Sequence, residues 1–240
     1  MLRYEVIKES HRKFLAITGL TPDEFEIILP AFRTAYQRVY PDGKTKAGEE
    51  RQRKAGGGRK GALDTIEQKL LFALAYQKDY PLQELLGEVF GLSQGRANEW
   101  IHRLLPILKQ ALDDLGVLPE RDPNELAQHE QDRADAADLI IDGTERRRQR
   151  PKKAEKQALH YSGKKKTHCD KNVLVAAAST KRIAYLSQTY PGKMHDKKVA
   201  DTEAISYPEN TTLHKDTGFQ GYEPQVRETR QPKKSLAKRN

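Results

Sequence analysis

Two short apolar runs, each ending in aspartate, constrain the fold of this chain more than any other feature. Residues 138–142 read Asp-Leu-Ile-Ile-Asp, and residues 211–216 read Thr-Thr-Leu-His-Lys-Asp. If the two runs are neighbouring strands of one sheet, Asp142 and Asp216 meet at the same edge, each where a turn begins. Carboxylates placed so close repel each other unless a hard divalent cation such as Mg²⁺ or Mn²⁺ lies between them, an arrangement that suits metal-assisted phosphodiester chemistry. The alternative is that each Asp only starts a turn, a common role for this residue.

The positive charge of the chain is concentrated in runs. The net charge is +9. Residues 44–60 hold seven Lys/Arg against two acids, residues 145–166 hold ten against two, and residues 227–239 hold six against one. Such runs are typical of proteins that bind a polyanion, and nucleic acid is the first candidate. For any one run, a solvated basic face is the alternative.

The cysteine count and the hydropathy pattern narrow the cellular setting. Cys169 is the single cysteine, so the sequence predicts neither an intrachain disulfide framework nor a thiolate metal site. No apolar run is long enough to cross a membrane, and the N-terminus carries no apolar signal core. We expect no membrane partner and a cytosolic or nucleoid compartment.

The first half of the chain has the periodicity of helices. Thr21-Pro22-Asp23-Glu24 is a capping box that opens one helix, and residues 63–77 form an amphipathic segment. Residues 81–90, a short turn with Gly91, and a helix opened by Ser93 then make a helix-turn-helix pattern. An ordinary helical hairpin is the alternative. The basic, glycine-rich stretch 41–61 favours DNA binding, as an arm against the DNA backbone. Residues of the types that read base edges are expected to point outward from the second helix: Gln94, Arg96, Asn98 and Arg103.

The pattern changes after residue 112. Residues 113–138 carry nine acids against two Arg, with two prolines, and indicate an acidic linker over 113–137. Beyond it we expect strands at 139–141, 168–178 and 183–188, a helix over 197–205 and a fourth strand at 211–216. This order is the opening half of an RNase H-like fold. The fold class is therefore α+β: an all-α helix-turn-helix domain over 1–112, then an incomplete RNase H-like α/β domain over 138–240.

Four motifs in this order resemble one known family. They are Ile141-Asp142-Gly143-Thr144-Glu145, residues 161–168 (Tyr-Ser-Gly-Lys-Lys-Lys-Thr-His), residues 191–196 (Pro-Gly-Lys-Met-His-Asp) and residues 216–221 (Asp-Thr-Gly-Phe-Gln-Gly). Together with the helix-turn-helix they resemble the DDE-superfamily transposases of bacterial insertion sequences, of the type related to Harbinger elements. The resemblance covers most of the chain.

The resemblance implies roles for particular residues. Asp142 and Asp216 would be the first two acids of the metal-binding triad and would hold Mg²⁺ or Mn²⁺ for in-line displacement at phosphorus. His195 and Asp196 would support the site as second-shell or substrate-positioning groups, with a helix cap by Asp196 as the alternative. Two basic groups would contact DNA phosphates: Arg146, Arg147 and Arg148 (within the run to Arg150), and Lys164, Lys165 and Lys166.

The sequence also departs from the family pattern. The family places its third acid, a Glu, on a helix well beyond the second Asp, and we expect that helix and the fifth strand to lie past residue 240. This predicts a truncated or frameshifted transposase that binds DNA and cleaves it poorly alone. The implied partners are double-stranded DNA, at the terminal inverted repeats and the target, and further copies of the chain when active.

Two other functions stay open on the sequence. The chain is alternatively a catalytically inactive DNA-binding remnant or an inhibitor of transposition. It is alternatively an RNase H-like nuclease in which Glu145 is an extra metal ligand; we expect Glu145, beyond the strand end, to pair instead with Arg146–Arg148.

Overall fold

The computed structural model describes residues 1–41, 43, 49–50, 61–130 and 133–232. It divides into two compact units, Met1–Val117 and Leu118–Asn240. Most of the basic arm expected at 41–61 and most of the basic tail lie outside the described residues. No helix within the described ranges is both long and apolar enough to span a membrane.

The first unit consists of helices around one apolar core. They are α1 (Tyr4–Ile7), α2 (His11–Thr18), α3 (Pro22–Val39), α4 (Ile66–Asp79), α5 (Gln83–Phe90) and α6 (Gln94–Asp114). The capping box predicted at Thr21 is present: its side chain accepts from Glu24 N, and the Glu24 carboxylate accepts from Thr21 N. The core holds Phe14, Phe25, Phe32, Phe72 and Phe90, all fully buried.

The predicted helix-turn-helix is formed by α5 and α6. Gly91 adopts the left-handed conformation after α5, with φ of 70°, and Ser93 caps α6 by accepting from Arg96 N. Such a turn favours glycine because a side chain at positive φ is strained. The second helix continues through Pro106 to Asp114.

The second unit is a mixed sheet with helices. Its elements are α7 (Leu126–Glu130), a 3-10 turn (Ala134–Ala137), β1 (Asp138–Arg147), α8 (Ala154–His160), β2 (Tyr161–Ser162), β3 (Thr167–Ala177), β4 (Ile183–Leu186), β5 (Tyr190–Pro191), α9 (Asp196–Glu203), β6 (Thr212–Lys215), a 3-10 turn (Thr217–Phe219) and β7 (Glu228–Arg230). The strand order is β2-β3-β1-β6-β7, with β4 and β5 also paired to β3. The predicted strands at 139–141, 168–178, 183–188 and 211–216 and the helix over 197–205 are all present, which confirms the α+β class, whereas α8, β2 and β5 between them were not predicted.

The central strands pair as their apolar residues require. β1 is antiparallel to β3, while β6 runs parallel to β1 and β7 parallel to β6. Alternate residues of the strands enter one core: Leu139, Ile141, Val173, Val175 and Leu213 are all buried.

Three expectations about this unit are corrected. The first strand does not stop at Asp142: it continues to Arg147, because β3 pairs with it along that whole length. A fifth strand next to β6 lies inside the chain, as β7, and not beyond it. The segment expected to be a linker packs from residue 118 onward on the second unit: Leu126 is fully buried in its core, and Glu120 bridges to Tyr185.

Candidate active site

The parallel register brings Asp142 and Asp216 to one edge of the sheet. The pairing of β1 with β6 ends at Ile141 opposite Lys215, one residue before each aspartate. Both aspartates are exposed. Because neighbouring parallel strands lie about 4.8 Å apart, the two residues that follow a paired position begin side by side. The structure thus places the backbones of Asp142 and Asp216 side by side where the pairing of β1 with β6 ends, although β1 itself continues past Asp142.

Each aspartate is oriented by a neighbouring backbone amide. Asp142 Oδ1 accepts from Gly143 N at 2.7 Å, and Asp216 Oδ1 accepts from Gly218 N at 2.8 Å, which caps the turn Thr217–Phe219. Within the described residues, neither carboxylate forms an ion pair with a Lys or Arg side chain. Asp216 therefore does start a turn, as the alternative interpretation of the sequence held. Its negative charge nevertheless has no Lys or Arg partner within the described residues.

A third carboxylate, that of Asp196, lies close to Gly143 and Gly218. A Cβ atom built on Gly143 would stand 2.6 Å from Asp196 Oδ1, and one built on Gly218 would stand 3.0 Å from Asp196 Oδ2 and 3.0 Å from Asp216 Oδ1. A side chain at either position would require the Asp196 carboxylate to shift, and the required shift is larger at Gly143 than at Gly218. Asp196 therefore touches the residue after Asp142 and the turn after Asp216.

Lys171 holds Asp196 in this place. Its ammonium lies 2.8 Å from Asp196 Oδ1 and 3.5 Å from Glu145 Oε1, and it donates to Met194 O at 2.8 Å. The Lys171 side chain is 7% exposed and that of Glu145 9%. A buried ammonium requires such partners, because burying an unpaired charge is costly.

Glu145 belongs to this buried cluster. It lies within β1 and not beyond the strand end, and its partners are Lys171 and Cys169, whose Sγ is 3.1 Å from Glu145 Oε2; the expected pairing with Arg146–Arg148 is wrong. Burial raises the pKa of Glu145, but hydrogen bonds from Cys169 and Ser162 together with the charge of Lys171 outweigh burial and hold this pKa below its usual value. Glu145 is thus engaged as a charged partner of Lys171.

The segment before α9 sets the positions of His195 and Asp196. Asp196 is the first residue of α9, and His195 occupies the N-cap position without a side-chain capping bond. The carboxylate of Asp196 binds Lys171, so the alternative of a helix cap by Asp196 does not describe its contact. His195 is exposed and lines a cavity that Asp196 and Gly218 also line.

The basic residues expected to contact phosphates divide into two groups. Arg146 and Arg147 lie on β1, where Arg146 donates to Asn172 Oδ1 at 2.9 Å; Arg148 follows and pairs with Asp170 at 2.8 Å. The lysines Lys164, Lys165 and Lys166 form the exposed turn between β2 and β3.

The candidate DNA-reading residues lie in the other unit, at the start of α6. Gln94 and Arg96 are exposed, whereas Asn98 and Arg103 are half-buried; Ala97, Ile101 and Leu104 pack inward as the periodicity predicts. Sequence reasoning missed one neighbour, Glu99. Its carboxylate lies 3.0 Å from Arg96 Nη1 and 3.6 Å from Arg103 Nη2, and both arginines therefore share one acid.

Lys171, Gly143 and Gly218 are the site residues that sequence reasoning left without a role. Lys171 gave no clear signal, because its sequence neighbours His168, Asp170 and Asn172 are polar as well. The two glycines gave no signal either, because their constraint comes from Asp196, which is distant in the sequence.

The donor set at the sheet edge suits a hard divalent cation. Asp142 and Asp216 offer carboxylate oxygens, the ligands that Mg²⁺ and Mn²⁺ prefer. Across the described ranges, however, no group of three or more His, Cys, Asp or Glu side chains is arranged to hold a metal ion. Two carboxylates therefore fit the metal, and they constitute a partial ligand set.

The chain combines a helix-turn-helix unit with a mixed sheet on which Asp142 and Asp216 follow the last residues paired between β1 and β6, an arrangement consistent with a nuclease-type protein. The comparisons with known proteins agree. Residues 141–240 match the family described as DDE superfamily endonuclease, and residues 61–114 match the helix-turn-helix of DDE superfamily endonuclease. Two separate segments of the chain thus match models of one superfamily, the DDE superfamily of endonucleases.

A transposase is among its relatives. The chain is 27% identical over 214 residues to the probable transposase for insertion sequence element IS702 of Microchaete diplosiphon, an alignment that covers 88% of this chain and 67% of the relative. No solved structure shows significant similarity to this chain.

Proposed function

We propose that this chain is a DNA transposase in which Asp142 and Asp216 hold the catalytic metal. The observation that carries the proposal is the parallel register of β1 and β6, which ends at Ile141 and Lys215 and brings the two carboxylates side by side. The family match over residues 141–240 and the transposase relative support it.

The two units divide the work in this proposal. The helix α6 presents Gln94 and Arg96 to base edges of the element ends, the terminal inverted repeats, and the basic residues of the second unit contact phosphates of element and target DNA. The active protein–DNA complex contains several copies of the chain and forms at the nucleoid of a bacterial cell.

The chemistry proposed at the sheet edge is phosphodiester cleavage and strand transfer. Bound Mg²⁺ or Mn²⁺ would activate the attacking oxygen and stabilise the leaving oxygen in an in-line displacement. Asp142 and Asp216 supply the negative charge that holds the cation, and their backbone amide bonds fix the direction of each carboxylate. Lys171 neutralises Asp196 beside them, so Asp196 adds little repulsion against a DNA phosphate.

One observation favours a second function. The described residues hold no group of three metal ligands. Binding of element ends without cleavage, as by an inhibitor of transposition, is therefore the second candidate.

The test is Mg²⁺-dependent cleavage of DNA that carries the ends flanking the gene, compared between the wild type and three variants. Asp142→Asn and Asp216→Asn remove a metal-holding charge, and we expect loss of cleavage with retained binding in gel shifts. The matched control is Asp138→Asn, an exposed acid at the opposite end of β1 that pairs with His214.

The outcomes separate the candidates. Cleavage by Asp138→Asn and none by the other two variants supports the proposed chemistry. Equal cleavage by all the variants refutes the assignment of Asp142 and Asp216. Binding without any wild-type cleavage identifies the second candidate.

A further inference from the structure

A cavity of about 940 Å³ opens directly beside the candidate active site. It shares Glu145, Lys171, His195, Asp196 and Gly218 with that site, and its remaining walls come from Arg150, from α8, from the β2–β3 hairpin and from residues 192–194 before α9. Its volume is at the upper end of the roughly 300–1,000 Å³ that small-ligand pockets have. No step of the proposed chemistry uses this space.

The walls of the cavity suit a flat heterocycle. Tyr161 is 44% exposed, and its ring meets the His168 ring edge-on at a centroid distance of 5.5 Å. Met194 adds a thioether, while Ala154 and Ala158 leave space on the α8 side because their side chains are small. Aromatic rings of this kind stack on nucleobases with little regard for which base it is.

The rim of the cavity suits a phosphate. Arg150, Lys164 and Lys193 line it and are exposed. The Arg150 guanidinium is held in place because both Nε and Nη2 donate to Gln157 Oε1, at 3.1 and 2.9 Å. The acids of the lining, Glu145 and Asp196, are both paired with Lys171 and so repel an anionic ligand less than their charges suggest.

We propose that this cavity takes one unstacked nucleotide of the DNA strand next to the phosphate that is cut. The inference rests on the proposed function, because the neighbouring carboxylates define where the strand passes. A paired base in a double helix lies inside the stack and does not reach the wall at Tyr161, so the base must leave the stack to enter. Single-stranded DNA ends satisfy this requirement at the least cost.

The first test is binding without metal, in EDTA, so that no cleavage is needed. The probes are one blunt duplex and the same duplex with a short single-stranded thymidine overhang. The wild type binds the overhang duplex more tightly. Ala158→Trp fills the cavity and weakens overhang binding by about tenfold, the size expected from the loss of one stacked base, while blunt-duplex binding stays unchanged.

The matched control is Leu159→Trp, the next residue of α8, which is 51% exposed and does not line the cavity. This variant keeps the overhang preference. Equal affinities of the wild type for the two probes, or a preference that survives in Ala158→Trp, overturn the proposal.

A second test does not depend on the folding of any variant. An overhang that carries 5-iododeoxyuridine is irradiated in the wild-type complex, and the linked peptide is sequenced. We expect the cross-link within residues 154–168, at Tyr161 or His168, and a cross-link elsewhere contradicts the proposal. The two proposals can fail separately. If Ala158→Trp loses the overhang preference but the wild type never cleaves DNA, the nucleotide site is supported and the catalytic role of Asp142 is refuted.

Discussion

Replacing Lys171 by Met tests whether one buried ammonium organises the candidate site. The change keeps the length and apolar stem of the side chain and removes its charge. Glu145 and Asp196, whose side chains are 9% and 20% exposed, then lose the cation at 3.5 and 2.8 Å. Breaking a buried pair by removing one partner costs about 3–5 kcal/mol, and we expect about 3 kcal/mol here because Asp196 keeps some contact with water.

The matched control for this prediction is Lys197→Met. Lys197 and Asp201 form an ion pair at 2.5 Å, but their side chains are 39% and 46% exposed. Solvent screens such a pair, so its loss costs only about 0–1 kcal/mol.

The assay is hydrogen–deuterium exchange of peptides from β1 and β3, which gives the free energy of opening of the second unit. Trp100 is the single tryptophan and lies in the first unit, so its fluorescence in urea is an internal control that stays unchanged. Equal costs for Lys171→Met and Lys197→Met would refute the organising role of Lys171.

The cost of Lys171→Met also depends on pH, with a sign fixed by Glu145. Because the folded state holds the pKa of Glu145 below its ordinary value of 4.5, the charged Glu145 stabilises the fold above that pH, and this stabilisation disappears as the pH falls through the folded pKa. Without Lys171 the pKa is lowered less. The difference in unfolding free energy between the wild type and Lys171→Met is therefore largest near neutral pH and shrinks below 4.5. A difference that grows in acid contradicts this linkage.

Two further predictions follow from close contacts. Gly143→Ala places a methyl group 2.6 Å from Asp196 Oδ1 and should destabilise the second unit by about 1–3 kcal/mol and lower cleavage, whereas Gly163→Ala, with no atom within 4 Å, should be neutral in thermal melts. Glu99→Gln removes the acid 3.0 Å from Arg96, and we expect a steeper salt dependence and tighter binding of element-end DNA in gel shifts.

Opposite results would contradict each of these predictions. A Gly143→Ala variant as stable and active as Gly163→Ala would show that Asp196 moves aside at no cost. Unchanged or weaker DNA binding by Glu99→Gln would show that Arg96 is no DNA contact.

The amino-acid sequence by itself determined the local elements of this protein. The capping box at Thr21, the turn at Gly91 and the cap at Ser93 act within a few residues, so helix starts and the helix-turn-helix were readable directly. The runs that end in Asp142 and Asp216 also indicated where two strands lie, although not how far the first one extends.

Only the tertiary structure decided which partners the strands pair with and which core the other segments pack against. The continuation of β1 to Arg147 comes from its pairing with β3, since the polar residues 143–147 have no strand pattern of their own. Likewise the acidic segment from residue 118 onward packs because Leu126 finds a core, which its charged neighbours do not indicate. The interpretation as a linker was wrong because the many acidic residues of this segment indicate only that its surface is solvated. One buried side chain, that of Leu126, is enough to anchor the segment on the second unit.

The site shows the same division between local and non-local information. Asp142 and Asp216 were visible locally, because each precedes a turn with glycine, whereas Asp196 was indicated only by the family resemblance of the motif at 191–196. The ion pairs of Lys171 with Asp196 and Glu145 were not visible in the sequence, and neither was the reason why residues 143 and 218 are glycines. Both depend on Asp196 approaching from a helix far along the chain, a contact that exists only once the sheet has formed.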